Sequence, residues 1–153
     1  MENGSTNIEI QLRLIKVQET GFFMDTSKLS SITSSDPELF NIEIGLQVLP
    51  YLTEDMLDLQ LTVRYLMRED SKSIKVVELQ TSNQFKIYNL SNVISITDKE
   101  LTDKNNVIPT LVGIALGTLR GILVVKTAGT IMNEYPIPIV NPTDLCKGIH
   151  KKL

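Results

Sequence analysis

Leu57-Asp58-Leu59-Gln60-Leu61-Thr62-Val63-Arg64-Tyr65 alternates apolar and polar side chains without a break. Successive side chains of a β-strand point to opposite faces, so this run puts Leu57, Leu59, Leu61, Val63 and Tyr65 on one face and the polar residues on the other. The same period recurs upstream in Phe40-Asn41-Ile42-Glu43-Ile44-Gly45-Leu46-Gln47-Val48, and further upstream from Ile8 to Leu14. Downstream, Ile74 to Tyr88 is less regular, but Val77, Leu79, Phe85 and Ile87 share a parity. Four half-buried strands are predicted.

Thr53-Glu54-Asp55 and the polar residues Glu69 to Ser73 join the second, third and fourth runs. Connections this short join antiparallel neighbours, because a parallel crossover needs a dozen or more residues. The expected sheet is mostly an antiparallel meander with one polar and one apolar face. Gly21 and the serine-rich stretch Thr26 to Pro37 predict a loop between the first two strands.

The period changes near residue 97. Thr97-Asp98-Lys99-Glu100 has the form of a capping box and predicts a short helix through Lys104. A main helix is predicted from Val107 to about Ala128, with Pro109 in its first turn and Gly129 placed to end it. Three prolines between Pro136 and Pro142 predict an extended segment, and the stretch from Asp144 onward is too short for another stable helix. The expected class is α+β, with residues 1–7 disordered, one domain over 8–145 and a short basic tail at 146–153.

At 153 residues the chain holds one cysteine, Cys146, and one histidine, His150, so no internal disulfide and no Cys/His zinc site can be assembled. The net charge of −3 disfavours nucleic acid as a partner. Polar residues at Met1 to Asn7 are unlike a secretory signal, and a cytoplasmic address is expected. Val107 to Val125 is largely apolar but contains Pro109 and Arg120 and is followed by Lys126, which argues against a membrane span.

Catalysis finds little footing. His150 lies in a Lys-rich tail, and Cys146 has Lys147 beside it but no evident base. Glu9, Glu43, Asp58 and Glu78 fall on polar strand faces or beside bases such as Arg13 and Arg64, where cross-strand pairing is expected. No phosphate loop is present. A non-enzymatic protein with no cofactor and no metal is expected.

Gly113, Gly117 and Gly121 recur every four residues, which on a helix makes one smooth stripe. Each disfavours the helix by roughly 0.8–1.0 kcal/mol relative to alanine, so the stripe needs a packing reason. Two are open: close packing onto the chain's own sheet, or a helix–helix contact between subunits. Leu111, Ile114, Leu116, Leu119, Ile122, Leu123 and Val125 spread almost all round the same helix. One four-stranded sheet does not cover such a helix, so a homo-oligomer is expected. Met24, Met56, Met67 and Met132 stand at loops or element ends, where flexible side chains suit a groove that accepts many shapes.

The order of these features resembles the SecB family of export chaperones. In that family the corresponding places read approximately C-E-V-x-Q, I-F-x-I, P-Y-A-R, R-G-x-F-P and P-V-N-F. Here they read Val77-Glu78-Leu79-Gln80-Thr81, Gln84-Phe85-Lys86-Ile87, Gly117-Thr118-Leu119-Arg120, Ala128-Gly129-Thr130-Ile131-Met132 and Ile139-Val140-Asn141-Pro142. The resemblance implies a SecB-like four-stranded sheet followed by one main helix, assembled as a dimer or a tetramer. It also implies an ATP-independent chaperone that holds unfolded polypeptide in hydrophobic grooves and serves an export motor or an antitoxin. On matching positions, Val77, Leu79 and Thr81 would lie at the subunit interface and Glu78 would contact the motor. Phe85 would sit near the groove, with Met24, Met56, Ile131 and Met132 as further peptide-binding candidates. The alternative is a non-enzymatic adaptor of the same fold that recognises one folded partner or antitoxin.

Overall fold

The computed structural model describes residues 9–33 and 36–147. The expected disordered segment 1–7, Ile8 and the tail beyond Lys147, including His150, lie outside the described residues. The chain is α+β, built on a four-stranded antiparallel sheet. Its strands are β1 (Leu12–Met24), β2 (Phe40–Tyr51), β3 (Met56–Glu69) and β4 (Lys72–Ile87). The spatial order is β1-β4-β3-β2. The last three strands form the expected meander, but the first pairs with β4 rather than β2. Alternation fixes which face a residue takes and leaves the neighbouring strand open, so this crossing is legible only in the fold.

A two-residue turn, Asp70-Ser71, joins β3 to β4 with both residues at positive φ (48° and 64°). That left-handed pair matches the right-handed twist of the flanking strands. The first strand differs most from expectation. It begins later and runs on through Gly21, where a bulge between Glu19 and Gly21 shifts its register against β4. A Cβ at position 21 would lie 3.1 Å from Gln80 Oε1, so glycine permits the close approach there. The predicted loop that follows contains a short helix, α1 (Thr26–Ser30), capped by Asp25.

The odd-numbered residues of β3 and β4 build the core. Leu57, Leu59, Leu61, Val63 and Tyr65 on β3 are fully buried, as are Val77, Leu79, Phe85 and Ile87 on β4. After β4 come a single turn of helix, α2 (Leu90–Val93), and a hairpin of β5 (Ile94–Thr97) and β6 (Glu100–Asp103). The capping-box helix predicted from Thr97 is therefore not formed. Asp98 and Lys99 occupy the left-handed region (φ 50° and 64°) and close a tight turn, leaving Ile94 and Leu101 buried.

The main helix, α3, spans Val107–Lys126, two residues shorter than expected. Its cap is Asp103, whose carboxylate accepts hydrogen bonds from the amides of Val107 (3.0 Å) and Ile108 (2.7 Å). At the other end Thr127 closes the helix by donating its hydroxyl to the Leu123 carbonyl, and Gly129 turns the chain away at φ +80°. Leu111, Val112, Ala115 and Leu119 are fully buried.

Beyond a 3-10 turn at Ile131–Glu134, residues 136–141 form neither helix nor strand. A five-residue helix, α4 (Pro142–Cys146), then forms where none was expected. Pro142 opens it, where a missing amide costs nothing, and the Asn141 side chain accepts from the Thr143 amide (2.9 Å).

Replacing Asp103 with Ala strands two helix-start amides and should cost about 1–2 kcal/mol in denaturant unfolding with an unchanged slope. Thr97→Ala, at the hairpin, should cost much less, and equal losses would contradict this assignment of the cap.

Candidate functional site

Exposed apolar side chains gather on two elements, with Tyr51, Tyr88, Ile96 and Ile139 exposed singly elsewhere. The first is β1, the edge strand. The bulge between Leu14 and Lys16 places Leu12, Leu14 and Val17 opposite Ile87, Phe85 and Asn83, hence on the same sheet face as the core. Yet each is about two-fifths exposed, and Ile15 equally so. The sequence predicts a half-buried strand here, whereas every residue from Leu12 to Thr20 is exposed. Where β1 approaches the end of α3, the Lys126 ammonium pairs with Glu19 (3.1 Å) and lies over the Phe22 ring (4.6 Å).

The second is the outward side of α3. Ile114, Val124 and Val125 are exposed there, Val125 by 75%. Thr118, Gly121, Ile122, Val125 and Lys126 line a shallow, largely apolar groove along this side. A Cβ built at Gly117 or Gly121 would meet nothing within 4 Å, and one at Gly113 would touch only Pro142 Cγ of α4, at 3.6 Å. The glycine stripe is thus not packed against the chain's own sheet. Of the two reasons open from the sequence, packing onto the chain's own sheet is not what the glycines serve, and Gly113 instead meets α4 of the same chain.

The remaining sequence candidates are scattered rather than gathered. Phe85, Val77, Leu79 and Thr81 sit on β4, an inner strand, and are covered by their own chain. Met132 is buried too, while Ile131 borders a groove shared with Thr26, Leu29, Ser30 and Ile32 of the α1 region. Met24 packs partly against the core, and Met56 lies on the opposite, solvent face of the sheet. The exposure of Leu12, Leu14 and Val17 is a feature that the sequence reading missed. Its one sequence signal is an apolar pattern running on to Met24, masked by the two bulges.

Glu78 lies on the solvent face directly opposite Arg64. Its carboxylate accepts from the Arg64 guanidinium and pairs with Lys75 at 3.5 Å. The hydrogen bond from Arg64 is the main reason that its pKa falls below the usual carboxylate value. Lys75 also lies over the Phe23 ring, at 5.0 Å.

Cys146 is buried on α4, and burial pushes its thiol up to about 11, with Asp103 adding to the effect. Burial likewise raises the Tyr65 phenol, which donates to the Tyr135 carbonyl (2.7 Å). Among the described residues no group of three His, Cys, Asp or Glu side chains could hold a metal. The helix α3 is long and apolar enough by composition to cross a membrane, but eight of its residues are buried in this fold.

Two measurements probe these environments. At pH 8 the Cys146 thiol should react with iodoacetamide at least about tenfold more slowly in the native protein than in denaturant, since the thiolate is the nucleophile. Glu78, with its folded pKa depressed, contributes stability that is present above the unfolded value of about 4.3 and is lost as pH falls through the folded one. Glu78→Gln should therefore flatten the acid limb of the stability profile, and an unchanged limb would contradict the pairing.

No protein-family model and no curated protein matches the chain. Among solved structures it is similar to a crystal structure of a protein of unknown function from Streptococcus agalactiae. The identity is 9% and the TM-score 0.30, over 76% of this chain and 90% of that one.

Proposed function

We propose that the chain is a SecB-like, ATP-independent chaperone that holds unfolded or partly folded polypeptide on the apolar surfaces of a cytoplasmic homo-oligomer. One observation carries this reading: apolar side chains on the core-facing side of β1 and on the outward side of α3 are left about two-fifths or more exposed by the chain's own fold. Ordinary soluble surfaces scatter single apolar residues, whereas contiguous uncovered patches mark interaction sites. The glycine stripe suits a sister helix, because two backbones approach closely where no Cβ intervenes. The strip of Leu12, Leu14 and Val17 offers apolar contact with little geometric selectivity, which holding non-native chains requires. The SecB-like order of sheet, helix and Pro-rich segment supports the same reading from the sequence side.

A second reading, an adaptor for one folded partner or antitoxin, draws support from the burial of Phe85 and Met132, which leaves fewer adaptable side chains at the surface. Unrelated denatured proteins should compete for the site of a chaperone and leave the complex of an adaptor intact.

Equimolar protein should suppress aggregation of a chemically unfolded client without ATP, and no suppression at excess would sink the chaperone reading. Light scattering should give a mass well above the 17.1 kDa of one chain. Gly117→Leu introduces a side chain on an exposed position whose Cβ meets nothing within 4 Å, so the monomer should fold with a helix stabilised by several tenths of a kcal/mol. The same variant should lose self-association, and retained assembly would remove the stripe from the interface.

A further inference from the structure

The solvent face of the sheet is uneven in charge. Arg13 on β1 stands directly opposite Lys86 on β4, Lys86 opposite Met56 on β3, and Met56 opposite Tyr51 on β2, so one row crosses all four strands. Lys16 heads the next row, opposite Gln84. Like charges directly opposite each other on a sheet are destabilising, so a fold under no other demand avoids the Arg13–Lys86 pairing.

Neither these two side chains nor Lys16 forms an ion pair among the described residues. The Lys86 ammonium donates instead to a neutral group, the Glu54 carbonyl, at 2.7 Å. Asp58 shares the row of Lys16 but lies two strands away and is 5% exposed, its oxygens taken by Ser82 Oγ (2.7 Å) and Gln60 Nε2 (3.1 Å). Further along the face the charges are matched, with Arg64 and Lys75 on Glu78. Unmatched positive charge therefore gathers at one end of this face in a chain whose net charge is −3.

We propose that Arg13, Lys16 and Lys86, with Met56 and Tyr51, form a docking surface for an acidic polypeptide segment that also carries an apolar side chain. The row spans three interstrand steps of about 4.8 Å, roughly 14 Å in all, which is the scale of a short extended segment. Tyr51 is 41% exposed and Met56 is partly exposed, so the far end of the row offers a flexible thioether and an amphipathic ring to an apolar anchor. Three cations in a patch this small neutralise too few phosphates to hold a nucleic acid strongly. The proposal rests on the reading of the chain as a polypeptide binder, but it uses the opposite face of the sheet from the uncovered core side of β1.

The test is fluorescence anisotropy with a short labelled peptide of Glu, Ser and Leu, and with the same peptide carrying Gln or Lys for Glu. The acidic peptide should bind, weaken with salt, and lose at least about tenfold in affinity to an R13Q/K16Q/K86Q variant. The single variant Arg13→Glu should weaken binding while raising the unfolding midpoint, because it turns a like-charge pair into an opposite-charge one, a combination that simple misfolding does not produce. Equal binding of the Gln peptide, or binding through these residues by single-stranded RNA or anionic vesicles but not by the acidic peptide, would overturn the proposal. Aggregation suppression by the triple variant separates the two functions. If suppression is intact while the peptide no longer binds, the patch is distinct from client holding. Peptide binding by a wild-type protein that suppresses nothing would sink the chaperone reading alone.

Discussion

The width of one helix governs this molecule. An α-helix with its side chains is about 10–12 Å across, whereas four strands at about 4.8 Å spacing present a face nearer 14–19 Å wide. The helix α3 accordingly seals the inner strands β3 and β4, whose core-facing residues are fully buried. The flanks fare differently. Ile42, Ile44 and Leu46 on β2 are only partly covered, and Leu12, Leu14 and Val17 on β1 are about two-fifths exposed although they belong to the same face. The surplus apolar area follows from geometry, because one long helix cannot shield four strands.

Apolar burial holds α3 against the core, and polar contacts fix its ends and its neighbours. Asp103 gathers two amides at its start, and Thr127 closes its end. In mid-helix the Arg120 guanidinium donates to the carbonyls of Ile137 (3.1 Å) and Pro138 (3.3 Å), tying down the proline-containing segment, which has few amides of its own to offer. Tyr65 and Tyr135 extend this clamp to the sheet. Tyr65 donates to the Tyr135 carbonyl, Tyr135 donates to the Asp36 carbonyl (2.7 Å), and both rings meet Phe40 edge-on. Ile137 is thereby buried while Ile139, two residues on, is 98% exposed.

The two faces of the sheet divide the chemistry. The core side is mostly apolar, with Thr81 and Asn83 as buried polar exceptions, and it is incompletely covered along the outer strands β1 and β2. The solvent side is polar and patterned, with Glu78 matched to Arg64 and Lys75 at one end and Arg13, Lys16 and Lys86 unmatched at the other. Contacts of the first kind supply affinity with little discrimination, while charges at a rim set orientation and choice of partner.

The amino-acid order alone determined the α+β class, the three-strand meander, the parity of Leu57 to Tyr65 and the start of α3 at Val107, because each rests on a period carried by neighbouring residues. It misread Thr97 to Glu100, since four residues fit a capping box and a tight turn equally well and only the burial of Ile94 and Leu101 decides between them. The candidate surface was legible in part: the Gly113, Gly117 and Gly121 stripe was visible, while the side that it faces was not. Tertiary structure decided that side, the place of β1 beside β4, and the burial of Phe85 and Met132. The reason is common to all three: which side chains meet water depends on strands and helices distant in the chain, and no local pattern encodes how far a covering element reaches.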